Sequence, residues 1–436
     1  MRSFLLLLLL GGCAPPPRAH RADAPPAREA AREEGPDLAD ADADGVRDAR
    51  EVRLGTDPRE PDSDGDGVRD GDDLAPGVPT PQASFATTDV LASEPGAVLP
   101  DPEFDAATGQ FVWQTFTGSA LWVGRVDAQT GALVPRDGRG TKVDEGLGGV
   151  GVGANGPEWV TTPQGPVITY IKPARGDYEV WAARKVDGHW QAAALAGGPP
   201  GVRPYGQHVA GASVGRVIYR TRAGDGWDNV WREVGGAHEA HVLPREAGVH
   251  NTRWALDDEH VLLGSAPPDY AVVRYDIRDG RRATLTADGG VHHDPYQTTA
   301  PEWGGERVIV SLRGPAVNDY PELVVYREVR GAWAPVKVIR PPAAYPQIIS
   351  PELFAWKGKT YVSFVATEWV DGPMNGVSQV WIAAIDPADD LLRRVSDDAV
   401  GVRFDPEPYV GGARPWLFYT GTADSRRETH RCELGL

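Results

Sequence analysis

Cysteine is almost missing from this chain: there are two among 436 residues, Cys13 and Cys432. A disulfide framework is therefore excluded, and stability has to come from packing or bound ions. Basic residues are also short, with 44 Lys and Arg against 62 Asp and Glu and a formal net charge of −18. That balance argues against a nucleic-acid partner, because phosphate backbones are met by basic patches. Beyond the first dozen residues there is no long apolar run, and no helical apolar period is sustained in the body of the chain. What is plentiful is glycine (52), proline (39) and tryptophan (14), within a hydrophobic content of 41%. Many turns and a large core together indicate an all-β protein.

The stretch from Ala300 to Ile339 shows how that class is built. It reads Ala300-Pro301-Glu302-Trp303, a Gly304-Gly305 turn, the run Arg307 to Leu312, a loop, Leu323 to Tyr326, a turn at Gly331, and Val336 to Ile339. The Pro-Glu pair recurs at Pro102-Glu103, Pro157-Glu158, Pro351-Glu352 and Pro406-Glu407, at steps near 50 residues. Pro204-Tyr205 and Asn251-Thr252 fill the gap as degenerate copies, giving seven. Four strands per copy at this period predict a β-propeller over 83–436, of seven four-stranded blades or of six with a decorated loop. The last copy runs out of chain after its third strand, so Ser84 to Leu91 is expected to supply the fourth and close the ring.

The N-terminus has a different character. Residues 1–13 carry one arginine, a leucine run too short to span a bilayer and a cysteine after small residues, as a secretory signal does. Leu10-Gly11-Gly12-Cys13 resembles the bacterial lipoprotein box, which implies lipid on Cys13. Ala14 in place of an acidic residue implies, by the same resemblance, sorting to the outer membrane. Residues 14–36 are rich in Pro, Ala, Arg and Glu and read as a tether of at most roughly 70 Å at about 3.1 Å per residue.

Between tether and propeller, residues 37–79 hold the most specific motif. Asp40, Asp42, Asp44, Asp48 and Glu51 stand at positions 1, 3, 5, 9 and 12 of a twelve-residue loop, with Gly45 at position 6. Alternate carboxylates converge on one point, the glycine allows the turn, the Val46 carbonyl can ligate, and Glu51 can close the shell with both oxygens. Asp62, Asp64, Asp66, Val68, Asp70 and Asp73 repeat the pattern around Gly67. From Asp37 to Asp73 there are 14 acidic and 5 basic residues, a net of −9. Divalent cations would offset that repulsion and serve as the segment's core. With Leu54-Gly55-Thr56-Asp57-Pro58 between the loops, the stretch resembles bacterial thrombospondin type 3 repeats. The resemblance implies calcium as the cofactor, held by these carboxylates, with Asp57 as a bridging ligand.

In a propeller the residues at the start of each inner strand surround one funnel. Gly201-Val202-Arg203, Gly248-Val249-His250, Gly290-Val291-His292 and Gly401-Val402-Arg403 suggest that Arg203, His250, His292 and Arg403 ring it, with Glu103, Glu158, Glu302, Glu352 and Glu407 just inside. The glutamates, found in most blades, read first as brackets bonding the neighbouring blade and, as the alternative, as ligand contacts. The blade pattern resembles TolB-like and WD40-like propellers, which implies a platform binding a protein or glycan. Asp101-Pro102-Glu103 and Asp405-Pro406-Glu407 also look like the blade starts of five-bladed glycoside hydrolases, which implies the alternative of an enzyme acting on surface polysaccharide. No catalytic residue is singled out, because the repeated glutamate distinguishes no blade. If the lipoprotein box operates, Cys13→Ala will move the protein from the membrane pellet to the soluble fraction and abolish incorporation of labelled palmitate. An unchanged pellet fraction would reject the anchor.

Overall fold

The computed structural model describes residues 38–436 apart from 74–75, 78–89, 92–98, 100, 115–119, 136, 148–155, 175–176, 196–199, 210–211, 236–238, 244–249, 258, 265–269, 369–375, 397–399 and 424–425. Cys13, the tether and most of the proposed closing strand lie outside the described residues. The described chain forms seven antiparallel sheets, one per blade, and residues from 38 onward make one compact unit. In sequence order the inner strands are Glu103–Asp105, Glu158–Val160, Val202–Gly206, His250–Trp254, Val291–Ala300, Gln347–Trp356 and Val402–Tyr409. Each touches the inner strand before and after it, and the seventh touches the first, so the ring is closed.

The closure is the one expected. Val90–Leu91 pairs with the last strand, Arg426–Glu433, as the outer edge of blade 7, with Val90 opposite Cys432 and Leu91 opposite Arg431. The same blade therefore holds both ends of the propeller.

The reason for a ring is visible in how neighbouring residues part company. Along Glu306–Gly314, Val308, Val310 and Leu312 enter the apolar layer between blades 5 and 6, while Ile309 enters the layer between blades 4 and 5. Successive side chains of a strand point to opposite faces, so each sheet has two apolar faces and needs a neighbour on both. Seven such layers are present, one at each junction. At the junction of blades 7 and 1, Phe104 stacks 4.7 Å from Phe418 between ring centroids. Cys432 is fully buried in the layer between blades 6 and 7, as a small apolar residue.

One repeat is out of phase with the sequence reading. Pro301-Glu302-Trp303 forms a single 3-10 turn after the inner strand of blade 5, not its start. The equivalent of the other Pro-Glu pairs is Pro295-Tyr296, hidden because tyrosine replaces glutamate.

The acidic segment is folded against the ring. A short helix, Asp48–Leu54, begins inside the first loop and stops at Gly55, whose φ of 84° suits glycine and whose N–H donates to the Glu51 carbonyl. Val46, fully buried, joins the apolar layer between blades 5 and 6, with Leu54 packed at its edge. Arg47 pairs with Glu368, and Arg50 donates to the carbonyls of Ala343 (2.7 Å) and Ala344 (3.1 Å). Tyr345 donates to the Gly45 carbonyl, and Arg394 reaches Asp72 at 3.3 Å. Among the described residues no helix is long and apolar enough to cross a membrane.

Candidate functional site

A repeated irregularity in the inner strands builds the central channel. Five residues that precede a proline there take the left-handed conformation: Asp101 (φ 51°), Arg203 (54°), Asp294 (45°), Ser350 (47°) and Asp405 (50°). Such φ values are costly for side chains other than glycine, and each recurs at the same place in its blade. In four of these five strands, and in blade 4, the register with the second strand shifts here. A bulge of this kind re-aims the side chains around it. The residue after the proline, or Arg253 after Thr252 in blade 4, then joins one axial set: going round the ring these are Glu103, Glu158, Tyr205, Arg253, Tyr296, Glu352 and Glu407, one from each inner strand.

On one side of the channel they form a bonded chain. The Arg253 guanidinium lies 3.7 Å from the Tyr205 ring centroid and 4.6 Å from that of Tyr296. Its Nη2 donates to the Tyr296 hydroxyl at 2.6 Å, which donates to Glu352 Oε1 at 2.6 Å. On the other side carboxylates meet carboxylates. Asp101, Glu103 and Glu407 each place an oxygen within 4.8 Å of the other two. Burial pushes Asp101 up to about 6, with Glu158 adding to the effect and the Gly156 N–H, 2.5 Å from Oδ2, opposing it. Burial, then Glu407 and Glu158, holds Glu103 well above the usual carboxylate range, and burial with Glu352 does the same for Glu407. Glu352 rises to about 8 through burial, against the pull of Arg253 and the Tyr296 hydrogen bond. The channel is thus a partly buried acidic site with one cationic wall.

The sequence-derived funnel residues divide. Glu103, Glu158, Glu352 and Glu407 converge as expected. Arg203 sits at its left-handed position where its charge is felt by Asp101. Glu302 does not enter the channel: its carboxylate accepts the Thr360 N–H at 3.0 Å and hydroxyl at 2.9 Å, bracketing blade 5 to blade 6. His292 is buried in blade 5, its Nε2 2.8 Å from Asp288, which also takes Arg313 and Tyr326. Arg403 is buried at the contact with blade 6, its N–H donating to Ser378 Oγ at 2.7 Å. These two stand four residues before the axial position, whereas Arg203 stands two before it, so the shared Gly-Val spelling conceals a different register. The His250 backbone pairs with Gly264, and its side chain lies outside the described residues. Tyr205, Arg253 and Tyr296 were missed as site residues. Alignment on the residue after the inner-strand proline finds both tyrosines; Arg253, which follows Thr252, has no such marker.

A second acidic constellation lies in the docked segment. Asp40, Asp42 and Asp44 converge within 4.8 Å, and so do Asp62, Asp64 and Asp66. A third group, Asp44, Glu51 and Asp70, brings carboxylates of the two loops together. Asp57 is exposed and accepts the Arg59 N–H at 3.2 Å as part of a turn. The ninth residue of each loop closes it on the second, Asp48 accepting the Ala41 N–H and Asp70 the Ser63 N–H, both at 2.8 Å. Asp73 and the Val68 side chain are buried beside these groups. Glu51 is 0% exposed, and among the described residues neither of its carboxylate oxygens has a hydrogen-bond partner; Asp40 Oδ1, Asp42 Oδ2 and Asp64 Oδ2 are likewise buried without one there. A donor set of this kind suits a hard divalent cation.

No protein-family model matches the chain, and no curated protein does. In three dimensions it is similar to a TolB from Agrobacterium tumefaciens, at 11% identity over 56% of this chain and 82% of that one, with a TM-score of 0.38. It is also similar to an ancestral GH74 enzyme (13%, 80% of this chain and 48% of that one, TM-score 0.49). A third is the α-L-arabinanase of Penicillium chrysogenum (10%, 64% and 93%, TM-score 0.42). At these identities the likeness is one of fold alone.

The high value at Glu352 gives a pH test with a definite sign. A carboxyl raised from 4.5 to about 8 on folding keeps a proton that the unfolded chain releases. Its contribution is fully present below pH 4.5 and is lost as the pH rises through about 8. In chelator, the melting temperature should therefore fall from pH 5 to pH 8, and Glu352→Gln should flatten part of that slope. An equal slope in the variant would remove Glu352 as its source.

Proposed function

We propose that this chain is a lipid-anchored envelope protein of the bacterial outer membrane. In this reading its acidic loops bind calcium and its propeller is a binding platform that takes a polar group of a protein or glycan into the axial channel. The observation that carries the reading is the convergence of four glutamates, two tyrosines and an arginine from seven inner strands onto one axis. A structural bracket needs only hydrogen bonds to its neighbour, such as the two that Glu302 accepts from Thr360. The axial carboxylates instead face one another, an arrangement that favours a bound group.

Calcium would sit among Asp40, Asp42, Asp44 and Glu51, among Asp62, Asp64 and Asp66, and at the join made by Asp70. The unmet oxygens of Glu51 support this placement. Because Val46 is buried in the layer between blades 5 and 6, occupancy of the loops is coupled to the propeller. The segment thereby acts as a strap on the ring, and the tether alone separates the ring from the membrane.

A second reading, a polysaccharide-cleaving enzyme, is favoured by the rise of Glu352 to about 8, which keeps a carboxyl protonated near neutral pH, as a general acid requires. Against it, Asp101, Glu103 and Glu407 place oxygens within 4.8 Å of one another, tighter than the roughly 5–9.5 Å that separates paired glycosidase carboxyls.

Two experiments test these readings. Calcium added to the stripped full-length protein should raise the melting temperature by a few degrees, since saturation at a hundred times Kd contributes about 2.7 kcal/mol. Glu51→Gln should remove most of that rise, and a wild-type protein indifferent to calcium would reject the loop assignment. A panel of envelope polysaccharides and peptides should show binding that Tyr296→Phe or Arg253→Ala weakens, with no reducing ends released. Turnover that disappears in Glu158→Gln would overturn the platform in favour of the enzyme.

A further inference from the structure

We propose that the propeller axis holds a hard divalent cation between Asp101, Glu103 and Glu407, where the first and last blades meet. None of these residues belongs to the acidic loops, so the site stands whether or not the loops bind calcium, and whether or not the channel takes a glycan.

The geometry comes first. One oxygen from each of the three carboxylates lies within 4.8 Å of the others. Oxygens around one ion at 2.3–2.6 Å can be no more than about 5 Å apart, so a single cation can touch all three. The positions are fixed by the fold: Asp101 is itself a left-handed residue, Glu407 stands two residues after another, Asp405, and the inner strands Glu103–Asp105 and Val402–Tyr409 touch through the ring closure.

The second observation is Glu407 itself. It is 7% exposed, and among the described residues its carboxylate receives no hydrogen bond and no ion pair. It points into the cluster, and the charges felt most strongly there are Glu352, Asp101, Asp405 and Glu158, all acidic. The Glu103 carboxylate likewise has no donor; its backbone carbonyl alone is used, accepting Trp159 Nε1 at 3.0 Å. Arg253 and Arg203 offset part of the burial effect at Asp101, whereas the charges felt most strongly by Glu103 and Glu407 are all acidic. Asp101 has the Gly156 N–H as a donor, but Glu103 and Glu407 have none among the described residues, and a cation would relieve the repulsion of all three at once.

The donor chemistry narrows the ion. Oxygen alone, without His or Cys, selects calcium, magnesium or manganese over zinc or copper. Such ions take six or more oxygens, so three carboxylates leave positions for water or for oxygens of a ligand entering the channel.

The test uses the full-length, metal-stripped protein with Mn2+ as the probe. Crystals soaked in Mn2+ should show an anomalous peak between Asp101, Glu103 and Glu407. In solution, electron paramagnetic resonance counts of free Mn2+ should show one ion fewer per chain for Glu103→Gln/Glu407→Gln than for the wild type. Asp42→Asn/Asp64→Asn should lose ions from the loops and keep the axial peak. The amide pair removes repulsion, so its melting temperature in chelator should equal or exceed the wild-type value, which checks that it folds. Equal ion counts in wild type and amide variant, or a wild-type map without the axial peak, would overturn the site; if the amide variant fails to fold, the wild-type map alone decides.

Discussion

Seven sheets with two apolar faces each cannot end anywhere. Every face needs a partner, and the strand at Glu306–Gly314, which sends alternate residues into two different layers, shows the requirement within nine residues. A closed ring satisfies it for all blades at once. The price of closure is an axis where seven inner strands approach one another and where each blade can send in few side chains. Which side chains stand there is the most consequential choice the chain makes after the fold itself. It fills the axis with acids, against one arginine held between two tyrosines.

Much of this was legible from residue order. The blade count, the four-strand unit and the borrowed edge strand follow from a repeat of about 50 residues and from a last copy that ends one strand early. Four of the axial residues were found because they share the spelling Pro-Glu. The same spelling misled at Pro301-Glu302, which lies at an acceptable spacing but on the far side of its inner strand. Spelling is shared by chance, whereas the left-handed residue and the register shift that follow from folding are shared by necessity. His292 and Arg403 show the same limit: a Gly-Val prefix does not say how many residues remain before the bulge, and that number decides whether a side chain faces the axis or a neighbouring blade. Burial of the acidic segment against blades 5 and 6 had no local signal, since Val46 and Arg47 occupy loop positions whose side chains calcium coordination leaves unspecified.

That docking changes what the segment can be. A free acidic spacer would respond to cations alone and transmit nothing. Here Asp44 and Glu51 lie within a few residues of Val46 and Arg47, which are held by the ring, so a change in the loop's shape displaces groups that the propeller has buried. The pairing of Arg47 with Glu368 places a buried charge pair at the joint. Such pairs contribute more to geometry than to stability, because desolvation offsets much of their attraction. The apolar contact of Val46 supplies the adhesion, and the ion pair with the Arg50 hydrogen bonds sets the orientation.

The axial acids call for the same weighing of costs. Scaffold positions elsewhere in the ring use neutral groups that satisfy one another, as Ser378 does with the Arg403 backbone and Trp159 with the Glu103 carbonyl. Those contacts hold blades together without placing charge in a poorly solvated space. Had the axis needed bracing alone, serine or threonine would have met the need at lower cost. Among the described residues Glu407 has no donor to brace against, and the neighbouring charges it feels most strongly are acidic. Bracing does not account for a side chain so placed, and that separates Glu407 from Glu302, whose two hydrogen bonds to Thr360 account for it completely.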